Sequence, residues 1–135
     1  MPLLLVRHAS AGERNAWGPD DGTRPLDESG EQRAQALEGV LASYPIDEIL
    51  TSPFTRCVQT VTPLAAARGL APSLRSELGE EHQSTDGIAL VRSLAGRDVV
   101  VCGHGGLEHA LVGAPKWRKG AVLVADGELR VVAQL

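Results

Sequence analysis

The sequence predicts an α/β fold: a three-layer α/β/α sandwich with a mostly parallel sheet and an antiparallel C-terminal hairpin strand at the edge. Two apolar runs, 3–6 and 99–102, have no helical stripe and are typical of strands buried on both faces, as in parallel sheets. Helical patterns lie between these runs. Near the C-terminus, two further apolar runs flank Asp126-Gly127, a dipeptide that favours a type I′ hairpin turn.

The first half of the chain predicts a strand, a loop, a helix, a second strand and a second helix. A polar loop over 9–25 follows the first strand. Asp27 or Ser29 can cap the first helix, whose apolar stripe continues for about four turns. The apolar run 46–51 predicts the next strand. The run is followed by Ser52-Pro53. Serine suits the N-cap of a helix and proline its first helical position, so the second helix is expected to begin there.

The second half predicts a weak extended segment, a helix, a buried strand, a short helix and the hairpin. These occupy, in that order, residues 71–78, 84–94, 97–102, 106–112 and 121–132. At 135 residues, the length predicts one domain covering 1–135.

Composition and charge exclude several classes of protein. A hydrophobic content of 43% and a charged content of 22% are typical of a globular domain. The net charge of −4 argues against nucleic acid as a partner. Arg7 interrupts the N-terminal apolar run before a signal-peptide core or membrane span could form, so we expect a cytoplasmic protein without membrane association. Cys57 and Cys102 fall in predicted buried elements and are expected to be reduced.

Basic side chains lie just past predicted strand ends or near the start of a helix. Arg7 and His8 follow the first strand, His104 follows the run 99–102, and Arg56 lies in the first turns of the second helix. Because the carboxyl ends of parallel strands face one crevice, these side chains are expected to meet there. An arginine fork and a helix N-terminus both suit phosphate. The sequence therefore predicts a phosphoryl pocket.

Four segments, taken together, form a recognisable set. In chain order they are Leu5-Val6-Arg7-His8-Ala9; Pro25-Leu26 with Gly30 and Gln32; Ser52-Pro53 through Arg56 to Gln59-Thr60; and Gly103-His104-Gly105-Gly106. They resemble the histidine phosphatase superfamily, which has the phosphoglycerate-mutase-like fold, and the first segment is similar to its Arg-His-Gly signature. The small chain resembles the single-domain phosphohistidine phosphatases. Segments around Arg24 and Arg56 also look like histidine phosphatase domains attached to some Nudix nucleotide hydrolases.

The resemblance implies a phosphatase that acts through a phosphohistidine intermediate. His8 would be the phosphorylated nucleophile, with Arg7, Arg56 and His104 holding the phosphoryl oxygens, and no metal or other cofactor is implied. The substrate would be a phosphomonoester or phosphoramidate, carried by a small molecule or a phosphoprotein. The alternatives are a non-catalytic phosphate-binding module of the same fold, or a phosphatase for nucleotide polyphosphates. The oligomeric state stays open.

Other candidate residues are less sharply defined. The acid that protonates the leaving group falls on Glu80, with Glu81 as its rival, or on neither. Asn15 and Trp17 lie where family members contact substrate, although the register departs from the family pattern. The segment 116–119 predicts either a basic rim or a solvated loop whose Trp117 covers the core.

Rival enzyme classes fit the sequence less well. A cysteine phosphatase needs an arginine closing the loop after its cysteine, whereas Pro63 and Glu108 occupy the corresponding positions after the two cysteines. A zinc hydrolase favours two histidines one helical turn apart, and His104 and His109 are separated by five positions. A mutase must shield its phosphoenzyme from water, and no insertion is long enough to form a lid, which favours an open phosphatase site.

Overall fold

A six-stranded sheet forms the centre of the computed structural model, which describes residues 2–13 and 20–135. The strands are Leu3–Arg7 (β1), Glu48–Thr51 (β2), Ser73–Leu74 (β3), Val99–Gly103 (β4), Val122–Ala125 (β5) and Val131–Gln134 (β6). Their order across the sheet is β3-β2-β4-β1-β5-β6. The first four strands in that order are parallel to one another, β5 pairs antiparallel with β1, and β6 pairs antiparallel with β5. The predicted mostly parallel sheet with a C-terminal hairpin at its edge is therefore confirmed.

Helices cover both faces of this sheet. The α-helices in the described part are Glu28–Val40 (α1), Thr55–Arg68 (α2) and Ile88–Ser93 (α3). Side chains of β1 alternate between the faces, so Leu4 and Val6 pack into one apolar cluster with α1 and α2. Leu3 and Leu5 pack into another cluster that includes Val91 of α3. The continuous apolar sequence of β1 is thus explained by burial on both faces, and the predicted three-layer sandwich is confirmed.

Asp27 caps α1 and also ties the loop after β1 to the start of this helix. Its Oδ1 atom accepts a hydrogen bond from the backbone N–H of Gly30 at 2.8 Å. Its Oδ2 atom accepts from Ser10 Oγ at 2.6 Å and from the N–H of Gly12 at 3.0 Å. These hydrogen bonds, that from Ser10 first, hold the pKa of Asp27 below its usual range. Asp27 is therefore the cap among the two predicted alternatives.

Helix α2 begins later than the sequence predicts. Ser52 is not its N-cap, because its N–H still donates to the carbonyl of Cys102 in the strand ladder, at 3.0 Å. Phe54, with extended backbone, precedes the first helical residue. The serine hydroxyl is engaged instead with His104, at 2.9 Å. The end of the helix is as predicted, at a left-handed Gly69.

Three predicted elements of the second half are shorter or differently wound. The extended segment 71–78 contains only the two residues of β3 followed by a 3₁₀ turn, Ser76–Leu78. The predicted helix 84–94 divides into a π turn, Gln83–Gly87, and α3, and Gln83 at the start of the π turn is hydrogen-bonded to the loop after β4. The short helix at 106–112 is a 3₁₀ turn, Leu107–Ala110.

The hairpin is present but its turn is not type I′. A type I′ turn requires positive φ at both central residues, and Gly127 does not have it. The Asp126 side chain instead accepts from the N–H groups of Glu128 and Arg130, at 2.9 and 3.0 Å. Leu129 then adopts the left-handed conformation, with φ 64°. The aspartate therefore widens the connection into a longer loop.

Two further expectations concern cysteines and the membrane. Cys57 and Cys102 are both free and buried, as expected for reduced thiols in core elements. Within the described ranges, no helix has both the length and the apolar character that crossing a membrane requires.

The packing around α1 predicts opposite effects for two glycine-to-alanine substitutions in this helix. A Cβ at buried Gly30 would overlap the backbone carbonyl of Ser10, whereas a Cβ at Gly39 meets nothing within 4 Å. Gly30→Ala should lower the free energy of unfolding by ~1–3 kcal/mol. Gly39→Ala, the matched control, should raise it by ~0.5–1 kcal/mol through helix propensity. Urea unfolding of both variants checks this, and equal effects would contradict the close approach of Ser10 to α1.

Candidate active site

The parallel pairing of β1 with β4 brings two histidines to one edge of the sheet. Arg7 pairs with Gly103, and the N–H of His8 donates to the carbonyl of Gly103 at 3.1 Å. The next residue on each strand is a histidine, and the ring centroids of His8 and His104 lie 5.4 Å apart. The sequence prediction that both strands end at one crevice is therefore confirmed in geometry.

A cleft of about 690 Å³ opens at this edge. All five predicted site residues line it: Arg7, His8, Arg56, Glu80 and His104. Arg24, Gln83, His109 and Lys119 also border the cleft. Several basic side chains thus share one concave site on a chain whose net charge is −4, so the positive field is local and suits a bound anion.

The backbone fixes the tautomer of the His8 ring. Nδ1 of His8 lies 2.8 Å from the carbonyl oxygen of Ala9. A carbonyl oxygen can only accept, so Nδ1 carries the proton and donates it to Ala9. In the neutral ring, Nε2 is then left with a free lone pair. An imidazole in this state can act as a nucleophile.

Burial keeps His8 neutral over a wide pH range. The ring is 5% exposed, and desolvation, reinforced by the neighbouring side chains of His104, Arg56 and Arg7, lowers its pKa to about 3, although the bond to Ala9 opposes this shift. The unshifted histidine pKa is 6.5. The ring therefore retains the Nε2 lone pair well below neutral pH.

Thr60 connects the His8 segment to helix α2. Its Oγ1 atom accepts from the N–H of Ala9 at 2.9 Å and donates to the carbonyl of Arg56 at 2.7 Å. Because Ala9 is also the acceptor for the His8 ring, this hydroxyl fixes the position of the nucleophile candidate relative to α2. Thr60 is completely buried.

Arg56 is completely buried at the start of α2. Its guanidinium donates to the backbone carbonyl of Asp21 at 2.9 Å, to the Asp21 carboxylate at 3.1 Å and to Glu80 Oε2 at 2.7 Å. The ring of Phe54 lies 5.0 Å from its central carbon. Two carboxylates and an aromatic face thus hold the buried cation in place.

Arg7, the last residue of β1, also lines the cleft. It donates to the carbonyl of Trp117 at 2.7 Å. A Cβ at Gly105 would lie 3.1 Å from its guanidinium, so the glycine permits the loop after β4 to pack closely on this side chain.

His104 is held by contacts to its backbone and to one edge of its ring. Its N–H donates to Oε1 of Gln83 at 3.0 Å, while Nε2 of Gln83 donates to the carbonyl of Gly105 at 2.7 Å. The same glutamine therefore hydrogen-bonds to two successive residues of the loop after β4 and clamps this loop in place. On the ring, Nε2 lies 2.9 Å from Ser52 Oγ and 3.6 Å from Cys57 Sγ.

Unsatisfied polar atoms concentrate in the cleft. Among the described residues, the buried side-chain nitrogen and oxygen atoms without a hydrogen-bond partner are Arg7 Nε, Arg56 Nε, His104 Nδ1 and Asp98 Oδ1. The nitrogens all belong to the predicted phosphoryl pocket. Buried donors are normally satisfied, and a bound oxyanion supplies the acceptors that these nitrogens require.

Glu80 rather than Glu81 lies in the cleft. Its Oε2 atom, which accepts from Arg56, is also 3.4 Å from Nδ1 of His104. Its side chain is 32% exposed, so the carboxyl can exchange protons with solvent and with a bound leaving group. Glu81 points to His82, with its side chain 60% exposed. Of these two glutamates, Glu80 is the one that lines the cleft.

The remaining candidates have mixed outcomes. Asn15 and Trp17 lie outside the described residues. Trp117 packs into the core and is 3% exposed, whereas Lys119 borders the cleft. The segment 116–119 therefore both covers part of the core and contributes a basic side chain to the cleft lining. In the described ranges, no group of three or more His, Cys, Asp or Glu side chains could hold a metal ion.

Sequence reasoning missed three residues that position the site. Gln83 carries no local signal, since its importance depends on the loop that it clamps. Asp21 lies in a polar segment without periodicity. Ser52 lies in a recognisable motif, and the Ser-Pro pattern led to its assignment as a helix cap.

Comparison with known proteins gives matches over nearly the whole chain. The family model described as histidine phosphatase superfamily (branch 1) matches residues 3–89. An 8-oxo-(d)GTP phosphatase of Mycolicibacterium smegmatis (strain ATCC 700084 / mc(2)155) is 33% identical over 149 residues. That alignment covers 94% of this chain and 45% of the relative. The chain thus spans a little under half the length of this curated relative.

Solved structures are similar in fold. One, described as a phosphohistidine phosphatase SixA from Agrobacterium tumefaciens, superposes with a TM-score of 0.84 at 25% identity, covering 99% of this chain and 96% of the other. The protein histidine phosphatase SixA complexed with tungstate superposes with a TM-score of 0.81 at 20% identity, covering 100% and 96%. The second likeness concerns the fold alone.

Proposed function

Since the chain belongs to the histidine phosphatase superfamily (branch 1), we propose that it hydrolyses a phosphomonoester or phosphoramidate through a phosphohistidine on His8. The observation that carries this proposal is the free Nε2 lone pair of a buried, neutral imidazole beside two arginines and a second imidazole. Nothing in this chemistry requires a metal ion, because the basic side chains supply the positive charge.

The reaction proceeds in two displacements. The Nε2 lone pair of His8 attacks phosphorus, and the bond from phosphorus to the leaving oxygen or nitrogen breaks with its electron pair on the leaving atom, which takes up a proton. Water then attacks the phosphohistidine, the phosphorus–nitrogen bond breaks, and the neutral imidazole and inorganic phosphate are regenerated. Arg7, Arg56 and His104 donate hydrogen bonds to the phosphoryl oxygens throughout.

Glu80 is the proposed acid that protonates the leaving group. In the free protein its carboxylate accepts from Arg56. A phosphoryl group that binds Arg56 competes for the same guanidinium, and its negative charge disfavours the charged form of the carboxyl. Substrate binding therefore favours a protonated Glu80 next to the leaving atom.

Two substrate classes have specific support. The likeness to a structure described as a phosphohistidine phosphatase, at 25% identity over 99% of this chain, supports a phosphoprotein or another phosphoramidate. The 33% identity to an 8-oxo-(d)GTP phosphatase supports a nucleotide substrate. Initial rates on a panel of phosphohistidine peptides, nucleoside triphosphates and sugar phosphates separate these classes.

The proposal extends to the organisation of the protein. One continuous sheet supports residues 1–135 acting as a single domain. The two buried free thiols fit a reducing compartment, so we place the protein in the cytoplasm.

The phosphohistidine can be trapped directly. Incubation with p-nitrophenyl phosphate followed by rapid quenching should give an acid-labile, base-stable adduct that mass spectrometry places on His8. Because the pKa of His8 is lowered to about 3, the ring keeps its lone pair, and the adduct should form at about pH 5 as well as at about pH 8. Turnover should persist in the presence of a chelator.

The control for this experiment is a second histidine. His82, whose side chain is 53% exposed, lies outside the cleft lining, so His82→Ala should leave adduct and turnover unchanged. His8→Ala should abolish both. Turnover that survives His8→Ala, or an adduct on another residue, would contradict the mechanism, and phosphate binding without turnover would indicate the non-catalytic module.

Glu80→Gln should affect substrates according to their leaving groups. An alkyl phosphate needs a proton on its leaving oxygen, so kcat should fall by ~10²–10⁴-fold. With p-nitrophenyl phosphate, whose leaving group departs without a proton, kcat should change little. Steady-state kinetics on both substrates checks this, with Glu81→Gln as the neighbouring control that should leave both rates unchanged. Equal losses on the two substrates would exclude Glu80 as the acid.

A further inference from the structure

We infer that Ser52 is a positioning residue that sets the tautomer of His104, so that Nδ1 of this ring presents an N–H to the cleft. The catalytic consequence of this inference rests on the proposed function, whereas the tautomer itself is a property of the free protein. Ser52 lies just after β2 and is completely buried.

The hydrogen bonds around the Ser52 hydroxyl limit where its proton points. The N–H of Phe54 donates to Ser52 Oγ at 3.2 Å, which occupies one lone pair of the hydroxyl. Oγ also lies 2.9 Å from Nε2 of His104. With one lone pair and its proton remaining, the hydroxyl can either donate to Nε2 or accept from it. When it donates, the proton of the neutral ring resides on Nδ1.

The opposite side of the ring decides between these two arrangements. Nδ1 of His104 is buried, and Oε2 of Glu80 lies 3.4 Å away. A bare lone pair on Nδ1 would face the negative charge of a carboxylate, whereas an N–H there is attracted to it. The proton is therefore favoured on Nδ1, and Nε2 accepts from the Ser52 hydroxyl.

The two histidines of the cleft would then share one tautomer and have opposite roles. His8 donates its Nδ1 proton to the Ala9 carbonyl and keeps its Nε2 lone pair for attack. His104 accepts at Nε2 from Ser52 and keeps its Nδ1 proton for a phosphoryl oxygen. A donor fixed in advance needs no reorganisation when charge develops on the phosphoryl oxygens.

Ser52→Ala removes the hydroxyl, so the proton of the His104 ring should no longer be held on Nδ1. Nitrogen-15 NMR of histidine-labelled free protein at about pH 8, with His104 assigned from its loss in His104→Gln, should report a protonated Nδ1 and an unprotonated Nε2 in the wild type. In Ser52→Ala, proton occupancy should move toward Nε2, and kcat should fall by ~10–100-fold, the range typical of residues that orient a functional imidazole. Ser52→Thr retains the hydroxyl and should restore both readouts.

Thr51→Val is the matched control. The Thr51 hydroxyl is equally buried and adjacent in sequence, but it donates to the Ser52 carbonyl at 3.1 Å rather than to His104. Its loss should leave the tautomer of His104 unchanged and kcat within about threefold of wild type.

A wild-type His104 ring protonated on Nε2 would overturn the inference whatever the variants do. The inference would also be overturned if Ser52→Ala lowered kcat while Nδ1 of His104 stayed protonated, or if the His104 proton shifted to Nε2 while kcat stayed unchanged. The NMR result does not depend on turnover, so failure of the proposed phosphatase activity remains distinguishable.

Discussion

The register between β1 and β4 is the constraint on which the candidate site depends. Arg7 pairs with Gly103, so the residue after each strand emerges at the same level, and the two imidazoles stand 5.4 Å apart. Shifting one strand by one residue would move each of its side chains to the opposite face of the sheet and would displace His8 from His104. Close packing of the buried side chains on both faces holds the observed register, and this register positions the two histidines.

Concentrating positive charge in a buried cleft has an energetic cost that the surrounding residues reduce. Arg56 is completely buried, and burial of an unpaired cation is strongly unfavourable. Asp21 and Glu80 compensate it in the free protein. In the described part of the cleft, Arg7 Nε, Arg56 Nε and His104 Nδ1 have no hydrogen-bond partner. In the proposed function, a bound oxyanion would supply acceptors for these nitrogens.

Much of the fold could be predicted because burial on both faces leaves a clear pattern. The unbroken apolar runs of β1 and β4 identified the central strands, and the residues after them identified the site. The predicted start of α2 was wrong because it relied on Ser-Pro, which is a local signal. In the structure, the Ser52 hydroxyl contacts His104, which is distant in sequence. Gln83 was missed for the same reason, since the loop that it clamps comes much later in the chain. Long-range polar contacts, unlike apolar periodicity, leave no trace in local sequence.

In the proposed mechanism, Nε2 of His8 and the unsatisfied donors around it converge on one tetrahedral group. A crystal structure of this chain with orthovanadate tests that claim directly, because vanadate can bond to an attacking nitrogen while its oxygens occupy the phosphoryl positions. We expect vanadium bonded to His8 Nε2, with its oxygens accepting from Arg7, Arg56 and Nδ1 of His104. Vanadate bound only at the rim, near Arg24 or Lys119, with His8 Nε2 free, would contradict the account.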